Sequence, residues 1–483
     1  MKVHSPSKLL EYLASLPRET EWVEFKLNND SEESVGKYIS ALANSAMLAG
    51  EEHGYLVFGV SDSDHALTGT EVHLESKTVG KDTFEFWLTN RLDPKITVEI
   101  CAFDLQGKHF EILVVEPGFQ QPVRFNGQAY IRVDTSLQPL NKYPQRESSI
   151  WATASRFTFE DGIARANMNE NDLLASVEHE TFLERLDIYS SSNLRTIELF
   201  EREGLIRDNR QGGYDATNLL ALTAATTLSS WTSVKNKAPR VVTYKHSSKL
   251  NADADVTGEF GYAISFPKLL AYIMERVGHR EEMLHGVRKK VFSIPEIAVR
   301  EILANALIHQ DLLVANDGPT IDIYPDRIRI TNPGVPLIDT DRFIDSPPKS
   351  RNRKLGDLLR RMGLCEERGS GVDRALAAVE QASLPPPLFQ VVEGSTVVTI
   401  FGPKPFADLS KEERIRACYQ HACVEFEAGR NMSNSSLRRR FGLTDKQYPQ
   451  VSLVIREAIE LKRVRPLDDN QASRNARYVP YWA

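Results

Sequence analysis

Three polar residues in the segment 295–311 have the types and the spacing that metal and phosphate chemistry needs. Glu301, Asn305 and His309 stand four residues apart, so an α-helix would carry them on one face. Apolar residues such as Leu303 form the adjoining stripe, which predicts that this helix packs against a core. A carboxylate and an amide at this spacing suit the binding of a divalent metal and a water beside a phosphate. An ordinary amphipathic helix with a solvated face would show the same pattern, and that alternative stays open.

Two glycine-containing turns follow this helix in the sequence. Residues 320–324 and 327–331 alternate apolar and polar side chains, which predicts two short strands, and 332–334 then reads Asn-Pro-Gly. Further along, 369–371 reads Gly-Ser-Gly before a predicted helix. Glycine lets backbone N–H groups approach phosphate oxygens closely, and a helix N-terminus favours negative charge. Alone, such a Gly-Ser-Gly segment is more often an ordinary tight turn.

Taken in this order, Glu-x-x-x-Asn, Asn-Pro-Gly and Gly-Ser-Gly resemble the motifs of the GHKL (Bergerat-type) ATP-binding fold, over residues 295–401. The segment is similar in particular to the divergent subgroup found in bacterial ATP-binding proteins that carry an N-terminal Schlafen/AlbA-type domain. The resemblance implies that Asn305 offers its carbonyl oxygen to Mg²⁺ bridging the phosphates of ATP, and that Glu301 polarises the attacking water. Gly369 and Gly371 would cradle the phosphates.

One position departs from the pattern of that fold. Asn332 stands where typical members have an aspartate that reads the adenine amino group, and an amide accepts this hydrogen bond without charge assistance. Gly334 closes the same cofactor-binding motif, and residues 336–366 would form the lid over the nucleotide. The resemblance therefore predicts nucleotide binding, while adenine specificity and hydrolysis stay open.

The N-terminal third contains an independent group of charged residues. Residues 19–26 read Glu-Thr-Glu-Trp-Val-Glu-Phe-Lys, and Glu24 and Lys26 share one face of a predicted strand. A second, buried strand is predicted over 54–60 and ends beside Asp62. Acids can bind a metal that activates water, while a lysine steadies the phosphate. Alternatively, the acids only solvate the end of a strand and Lys26 pairs with one of them.

This region resembles the Schlafen/AlbA-type domain over residues 1–145. The segments that carry the resemblance are the acidic motif 19–26, Ala43-Asn44, Gly59-Val60 and Ala-Tyr-Ile-Arg-Val at 129–133. Schlafen-type nucleases hold a divalent metal, Mg²⁺ or Mn²⁺, with three carboxylates. The resemblance implies that Glu19, Glu24 and Asp62 are the metal ligands and that, together with Lys26, they are the catalytic residues.

Two alternatives stay open within this set, because the acid after the strand end could equally be Asp64 and because Glu21 could replace one ligand. The non-catalytic version of the domain binds nucleic acid through a basic hairpin. In this chain the hairpin would turn at Asn-Gly, residues 126–127, a dipeptide suited to a type I′ turn. It would present Arg124 and Arg132 to nucleic acid.

The C-terminal segment 404–483 is locally basic, with 15 Lys or Arg against 10 Asp or Glu in a chain that has 59 against 66. Helices predicted over 434–441 and 448–461, followed by a wing over 468–477, are typical of a winged helix-turn-helix whose second helix enters a DNA groove. The residues expected to contact phosphates are Arg438, Arg439, Arg440 and Arg456. Winged helices also mediate protein contacts, and basic residues often only solvate a face.

Length and composition limit the class of protein. A chain of 483 residues with 41% hydrophobic and 26% charged residues is long enough for three or four globular domains. It has no run of about 18 apolar residues and no apolar signal core, so no membrane span or secretion is predicted. Four cysteines are typical of a reducing compartment, which predicts a cytoplasmic location. The spacing of Cys418, His421 and Cys423 does not suit a zinc site.

These observations predict a multi-domain α+β protein. The predicted domains are a Schlafen/AlbA-type α/β domain (1–145), a helical connecting module (146–235) with helices over 172–183 and 194–204, a GHKL-like α/β sandwich (236–403) and a winged helix (404–483). The predicted function is action on RNA or DNA under the control of ATP–Mg²⁺. A metal-dependent nuclease is the first hypothesis, an ATP-sensing DNA-binding transcriptional regulator is the alternative, and a scaffold with a vestigial nucleotide site is the third. The resemblance also implies a homo-oligomer.

Overall fold

The computed structural model of this protein describes most of the chain. The described residues are 5–16, 20–51, 53–62, 64–118, 121–154, 158–189, 192–209, 212–284, 287–314, 317–346, 349–365, 370–468 and 476–483. Two predicted site residues, Glu19 and Gly369, lie outside them, as do residues 469–475 of the predicted wing. The chain forms two compact units, an N-terminal unit (Met1–Glu170 with Ile206–Ala216) and a C-terminal unit (Asn171–Leu205 with Thr217–Ala483).

Helices and short strands alternate in the N-terminal unit. In chain order its elements are α1 (Pro6–Ala14), β1 (Val23–Lys26), α2 (Glu32–Ala49), β2 (Gly54–Phe58), β3 (Thr78–Val79), β4 (Asp82–Thr83), α3 (Phe84–Thr89), β5 (Leu92–Asp93), β6 (Val98–Leu105), β7 (Lys108–Val115), β8 (Arg124–Phe125), β9 (Gln128–Val133), β10 (Ser136–Pro139), α4 (Pro144–Ala154) and β11 (Ile163–Met168). The chain then continues through α5 (Glu170–Ala175), α6 (His179–Arg185) and α7 (Asn193–Arg202) before it returns with β12 (Ile206–Asp208) and β13 (Tyr214–Thr217).

The main sheet of this unit has the strand order β1-β2-β7-β6, in which β1 and β2 are parallel and the other neighbours antiparallel. Successive side chains of β7 point to opposite faces. Phe110 and Ile112 therefore pack with residues of α1, while Leu113 and Val115 pack with residues of α2. Burial on both faces explains why β2 is an unbroken apolar run.

Helix α2 also fixes a second sheet, of strand order β10-β9-β8-β5, through buried polar contacts. The Asn44 amide donates to the carbonyls of Val123 and Tyr130 at 2.9 and 2.8 Å. Gly36 permits the close approach, because a Cβ at this position would lie 2.2 Å from the Phe125 ring. The predicted hairpin is confirmed, since β8 and β9 pair antiparallel around residues 126–127, which have φ angles of 48° and 81°.

The C-terminal unit contains most of the remaining helices and one large sheet. Its further elements are α8 (Asn218–Ala224), β14 (Arg240–Tyr244), β15 (Ala252–Thr257), α9 (Tyr262–Arg276), β16 (His279–Leu284), β17 (Val287–Phe292), α10 (Glu296–His309), β18 (Thr320–Ile323), β19 (Arg327–Pro333), α11 (Arg353–Arg361), α12 (Gly371–Gln381), β20 (Leu388–Val392), β21 (Ser395–Phe401), α13 (Lys411–Glu427), α14 (Asn434–Arg440), α15 (Tyr448–Glu460), β22 (Val464–Pro466) and β23 (Tyr478–Pro480). In the part of the chain that is described, the helices lack the length and apolar character needed to span a membrane.

The large sheet has the strand order β15-β14-β18-β19-β21-β20. Strands β14 and β18 are parallel, so the chain between them crosses over through α9 and α10. The predicted helix over 295–311 and the strands over 320–324 and 327–331 are confirmed as α10, β18 and β19. Helix α10 packs against β19 and α12, and this places its polar stripe between the sheet and α12.

Three helices and a pair of strands follow the sheet. Helix α13 begins with a capping box in which Ser410 and Glu413 satisfy each other's backbone N–H groups. Helices α14 and α15 match the predicted helix-turn-helix, and Leu437 and Val451 belong to the apolar cluster that they share with α13. Strands β22 and β23 pair antiparallel, but most of the connection between them lies outside the described residues. The winged helix therefore stays a prediction.

The connecting region differs from its prediction as a helical module in two respects. It contains the strands β11, β12 and β13, which form a three-stranded sheet of order β11-β13-β12. The helix predicted over 172–183 is interrupted, and two helices, α5 and α6, stand in its place. The interruption arises because Val177 forms a β-bridge with Ala225 and the Glu178 N–H donates to the Ala224 carbonyl at 2.8 Å. These tertiary contacts take the backbone out of the helical path and override the local periodicity.

Candidate nucleotide and nucleic-acid sites

A cavity of about 750 Å³ lies between α10, the segment 336–360 and the start of α12. Glu301, Asn305, Asn332 and Gly371 all line it, so the structure brings together four residues that stand far apart in the sequence. The volume falls within the range of about 300–1,000 Å³ that is typical of small-ligand pockets. Helix α10 and strand β19 supply the polar groups, while apolar residues of the sheet form the floor.

The contact between α10 and α12 depends on the glycine at the start of α12. A Cβ on Gly371 would lie 2.9 Å from Oε2 of Glu301 and 3.8 Å from Nδ2 of Asn305. Any larger residue at this position would therefore intrude on the two polar side chains of α10. The absence of a side chain leaves the N-terminus of α12 open to an anion beside Asn305.

Glu301 is 2% exposed and lies among cationic groups. Its Oε1 atom is 3.4 Å from Nη1 of Arg300 and 3.6 Å from Nη2 of Arg374. The carboxylate therefore has two guanidinium groups within 4 Å. A buried carboxylate at the wall of a polar cavity is suited to orienting a water molecule.

Asn332 and Thr396 form the polar part of the cavity floor. They are paired residues on β19 and β21, so their side chains share one face of the sheet. Both are buried and line the cavity, where they can read the edge of a planar base. Gly334 lies instead beside the residue that follows α10, since a Cβ on Gly334 would be 2.7 Å from Cβ of Asp311. Its φ angle of 104° is one that glycine adopts readily.

Four cations also line the cavity, where Asp357 pairs with one of them, Arg360, at 2.8 Å, and motif analysis did not single them out. They are Lys349, Arg351, Arg353 and Arg360. Their clustering in the sequence, four cations within twelve residues, is a signal that could have identified them. His309 of α10 also lines the cavity, and burial, with the charge of Arg351, lowers the pKa of its imidazole. The wall thus presents positive charge while His309 stays neutral.

The predicted N-terminal site centres on Glu24. This residue is 2% exposed, and its carboxylate forms ion pairs with Nζ of Lys26 and with Nη2 of Arg132. Arg132 is itself fully buried, and its other terminal nitrogen donates to the carbonyls of Thr20 and Val23. Arg132 therefore faces the interior of the module and not its surface. Sequence reasoning missed this pair because β1 and β9 belong to different sheets.

Lys26 lies between Glu24 and Asp62, the two predicted metal ligands that fall within the described residues. Its Nζ atom contacts Glu24 and is 3.9 Å from Oδ2 of Asp62. Burial lowers the pKa of Lys26, but the hydrogen bond and charge of Glu24, helped by Tyr38 and Asp62, outweigh burial and raise the pKa above its usual value. The ammonium group therefore takes the place that a cation between these carboxylates would occupy.

The remaining predicted residues are dispersed. Glu21 pairs with Arg146 at 2.8 Å, and exposed Asp64 accepts a hydrogen bond from the Ala66 N–H at 3.2 Å. Among the predicted phosphate contacts, Arg439 of α14 and Arg456 of α15 are exposed, and Arg124 of β8 is half-buried. Arg438 is mostly covered and pairs with Asp445 at 3.0 Å.

The buried histidine in the Cys-His-Cys segment joins α12 to the C-terminal helices. His421 Nδ1 is 2.9 Å from Oε2 of Glu380 on α12, and His421 Nε2 is 3.0 Å from the Ser436 hydroxyl on α14. Arg440 of α14, expected to contact phosphates, is instead buried and donates to the Leu384 carbonyl at 2.8 Å. These contacts hold both imidazole nitrogens of His421 and connect α12 with α14.

Comparison with known proteins separates the chain into two regions. The family model for Schlafen, AlbA_2 matches residues 19–141. The family model described as "Putative ATP-dependent DNA helicase recG C-terminal" matches residues 316–400, a range that begins after α10. No curated protein matches the chain. Among solved structures, the DIP2311 protein from Corynebacterium diphtheriae is similar, with 17% identity, a TM-score of 0.43, and coverage of 98% of this chain and 96% of that one.

The two family-model matches agree with the predicted Schlafen/AlbA-type and nucleotide-binding regions. The Schlafen/AlbA_2 match covers Glu24, Lys26 and Asp62, and the second match covers Asn332 and Gly371 of the nucleotide cavity. The chain therefore joins a Schlafen/AlbA_2-like region to an ATPase-like, ATP-binding region, an architecture that indicates an ATPase-related protein acting on nucleic acid.

Proposed function

We propose that this protein binds nucleic acid and that ATP–Mg²⁺ in the cavity beside α10 controls this binding. The observation that carries the proposal is the convergence of Glu301, Asn305, Asn332 and Gly371 on one cavity with a cationic wall. A polyphosphate needs cations and backbone donors at one end of its site, and a base needs paired polar groups at the other. The described residues supply both.

The residues of the cavity fit a metal-bound nucleotide. Asn305 would offer its side-chain oxygen to Mg²⁺, which neutralises phosphate charge when it is bound. The N-terminus of α12 at Gly371, together with Arg351 and Arg353, would hold the phosphate oxygens. Asn332 would accept the hydrogen bond of the base. Glu301 would orient a water, so that slow hydrolysis is compatible with this site.

Helix α12 gives the cavity a connection to the predicted DNA-binding helices. Gly371 at its first residue contacts the side chains of α10, and Glu380 near its last residue binds His421. Nine residues at 1.5 Å per residue separate these contacts by roughly 14 Å. Because His421 and Arg440 tie this end of α12 to α14, a displacement at the phosphate end would be carried to α14 and α15.

The segment predicted as a lid supplies a second connection. Asp341 forms an ion pair with Arg463, the residue before β22, and its carbonyl accepts from the Tyr419 hydroxyl on α13. Phe343, two residues further along, lines the nucleotide cavity. Movement of this segment on nucleotide binding would therefore also move the C-terminal helices.

The first prediction concerns nucleotide affinity. Asn305→Ala is expected to weaken the binding of ATP in the presence of Mg²⁺ by at least about tenfold, or 1.4 kcal/mol, because the amide ligand of the metal is lost. Isothermal calorimetry with ATP, with and without Mg²⁺, measures the loss. The matched control is Asn193→Ala, at the exposed start of α7, which should bind ATP as the wild type does.

A nucleic-acid measurement completes this experiment. A labelled mixed-sequence DNA duplex of about three helical turns reports binding by fluorescence anisotropy. ATP–Mg²⁺ is expected to change its affinity by about fivefold or more for the wild type and to leave Asn305→Ala unaffected. Arg456→Ala should reduce the salt slope by about one, whereas Arg430→Ala, which removes a cation already paired with Glu425, should not. Equal affinities with and without nucleotide would contradict the proposal.

A metal-dependent nuclease is the second candidate function. The observation that favours it is the meeting of Glu24, Lys26 and Asp62 at one place, with Asp62 exposed to solvent. In the described arrangement these residues do not fit a bound metal, because Lys26 and Arg132 occupy the carboxylate of Glu24. Cleavage would require Lys26 to leave Glu24.

The second prediction separates these two functions. If the module only binds nucleic acid, the wild type should produce no fragments from single-stranded DNA or transfer RNA with added Mn²⁺ or Mg²⁺. If it is a nuclease, the fragments should depend on the metal, and Glu24→Gln should lose them by a factor of about 100 or more, because the charge that holds the cation is gone. The same gels with Glu33→Gln, which changes an exposed acid paired with Lys37 at 3.0 Å, provide the control.

A further inference from the structure

Two histidines and a glutamate come together in the N-terminal unit, away from the residues that sequence analysis selected. His109 and Glu111 are two residues apart on β7, so their side chains share one face of the sheet. His73 arrives from the segment before β3. Two hydrogen bonds dock that segment on β7, from the Thr70 N–H to the His109 carbonyl at 2.9 Å and from the Leu74 N–H to the Glu111 carboxylate at 2.8 Å.

The donor atoms of this cluster face one another. One ligand atom from each of His73, His109 and Glu111 lies within 4.8 Å of the other two. Nε2 of His109 is 3.6 Å from Oε1 of Glu111, which is longer than a hydrogen bond. Ligand atoms around a zinc ion at about 2.0–2.2 Å are themselves separated by distances of this order.

Two buried atoms of this cluster, one from Glu111 and one from His109, have no hydrogen-bond partner among the described residues. They are Oε1 of Glu111, which is fully buried, and Nε2 of His109. A buried polar atom without a partner is costly, so native structures rarely leave one unless a water or an ion completes it.

The surroundings of His109 match those of a metal-bound imidazole. Its Nδ1 atom is 3.1 Å from Oδ1 of Asp104, the residue paired with it on β6. An imidazole that binds a metal through one nitrogen usually donates through the other to a carboxylate, and this contact fixes the tautomer. The rings of His73 and His109 lie 4.5 Å apart, and the exposed position of His73 leaves one side of the site open to solvent.

We propose that His73, His109 and Glu111 form a binding site for a divalent transition-metal ion, with Zn²⁺ as the ion that two imidazoles and one carboxylate suit. This donor set is common among zinc sites that keep a coordination position for water or a further ligand. The site is separate from the Glu24 cluster. Lys26, Phe58 and Glu111 are aligned across β1, β2 and β7, and the buried Phe58 ring lies between the other two.

Zinc at this position would fasten the His73 segment to the sheet. Only His73 comes from the loop, whereas the other two ligands belong to β7. A bound ion stabilises the folded protein by an amount that grows with its concentration above the dissociation constant. The His73 segment contributes Val72 and Leu74 to the core beneath α2, so the ion would secure this part of the core.

The third prediction is that tag-free, chelator-treated protein binds one Zn²⁺ per chain. Elemental analysis after dialysis measures the stoichiometry, and competition with a chromophoric chelator measures the affinity. His109→Ala and His73→Ala should each lower the affinity by at least about 100-fold, since loss of a ligand costs more than the 10–100-fold loss of an outer partner. Asp104→Asn should lower it by about tenfold. His73 is exposed, so its substitution leaves the fold intact.

His53→Ala, a histidine of the same unit outside the cluster, is the matched control and should bind Zn²⁺ as the wild type does. Replacement by Co²⁺ distinguishes the ligands, because the described thiols Cys101, Cys365, Cys418 and Cys423 would give a thiolate charge-transfer band that the proposed site lacks. The proposal is overturned if the wild type retains no stoichiometric zinc, if His73→Ala and His109→Ala bind it with unchanged affinity, or if the cobalt spectrum shows thiolate ligation.

Discussion

Arg132→Ala is expected to lower the free energy of unfolding by about 3–5 kcal/mol, the range found when one partner of a buried ion pair is removed. The substitution removes one of the two cations that are described beside the Glu24 carboxylate, which is 2% exposed, and leaves Lys26 in place. It also removes the donor to the carbonyls of Thr20 and Val23 beside β1. Urea denaturation followed by tryptophan fluorescence measures the change, and Trp22 lies next to these groups.

The matched control is Arg146→Ala. Arg146 pairs with Glu21 at 2.8 Å, but both side chains are about one-third exposed, so the expected loss is only about 0–1 kcal/mol. Replacing both Arg132 and Glu24 by methionine should recover most of the stability, because neither buried charge then remains. A loss below about 1 kcal/mol for Arg132→Ala would mean that water or another cation compensates Glu24 in solution.

Gly371→Ala is expected to reduce ATP affinity by about tenfold or more without destabilising the protein. The new methyl group would lie 2.9 Å from Oε2 of Glu301, so Glu301 must move toward the phosphate space. The backbone itself accepts alanine, since Gly371 is the first residue of α12 and alanine favours a helix over glycine by up to about 1 kcal/mol. Calorimetry with ATP–Mg²⁺ measures the loss of affinity, and a thermal melt measures whether the stability is unchanged.

Gly278→Ala provides the control for this substitution. Its Cβ would meet the Ser293 hydroxyl at 3.4 Å, an ordinary contact, and the residue does not border the nucleotide cavity. Nucleotide affinity should therefore be unchanged. If Gly371→Ala binds ATP as tightly as the wild type, the phosphates do not lie against the start of α12, and their assignment to this end of the cavity fails.

Local patterns were sufficient to predict the helix and the strands of the nucleotide region. The apolar stripe of α10 recurs with helical period, and the residues of β18 and β19 alternate, so each element follows from its own few residues. The Asn-Gly turn of the β8–β9 hairpin was predictable for the same reason, because its φ angles demand these residue types. The Gly-Ser-Gly segment indicated a glycine at a helix start, and Gly371 has this position.

Contacts between distant segments were less predictable. Arg132 and Lys26 read alike in the sequence as cations available to nucleic acid or phosphate, yet Arg132 is buried against Glu24. Only the tertiary packing, which brings β1 and β9 together from different sheets, decides which cation meets which acid. The interruption between α5 and α6 has the same origin, since a bridge from Val177 to Ala225 overrides a helical pattern. The His109-x-Glu111 spacing, which places both side chains on one face of a strand, was a visible signal, but His73 had no local sign of its role.

The contacts at the two ends of helix α12 have a consequence for the affinity of the cavity for ATP. If ATP at its first turn changes the affinity of the C-terminal helices for DNA, thermodynamic linkage requires DNA to change the affinity for ATP by the same factor. A coupling of about tenfold in favour of binding would lower the dissociation constant for ATP tenfold on DNA. The occupancy of the cavity would then report whether the protein is on or off its nucleic acid, with Glu380 and His421 as the contacts through which this information passes.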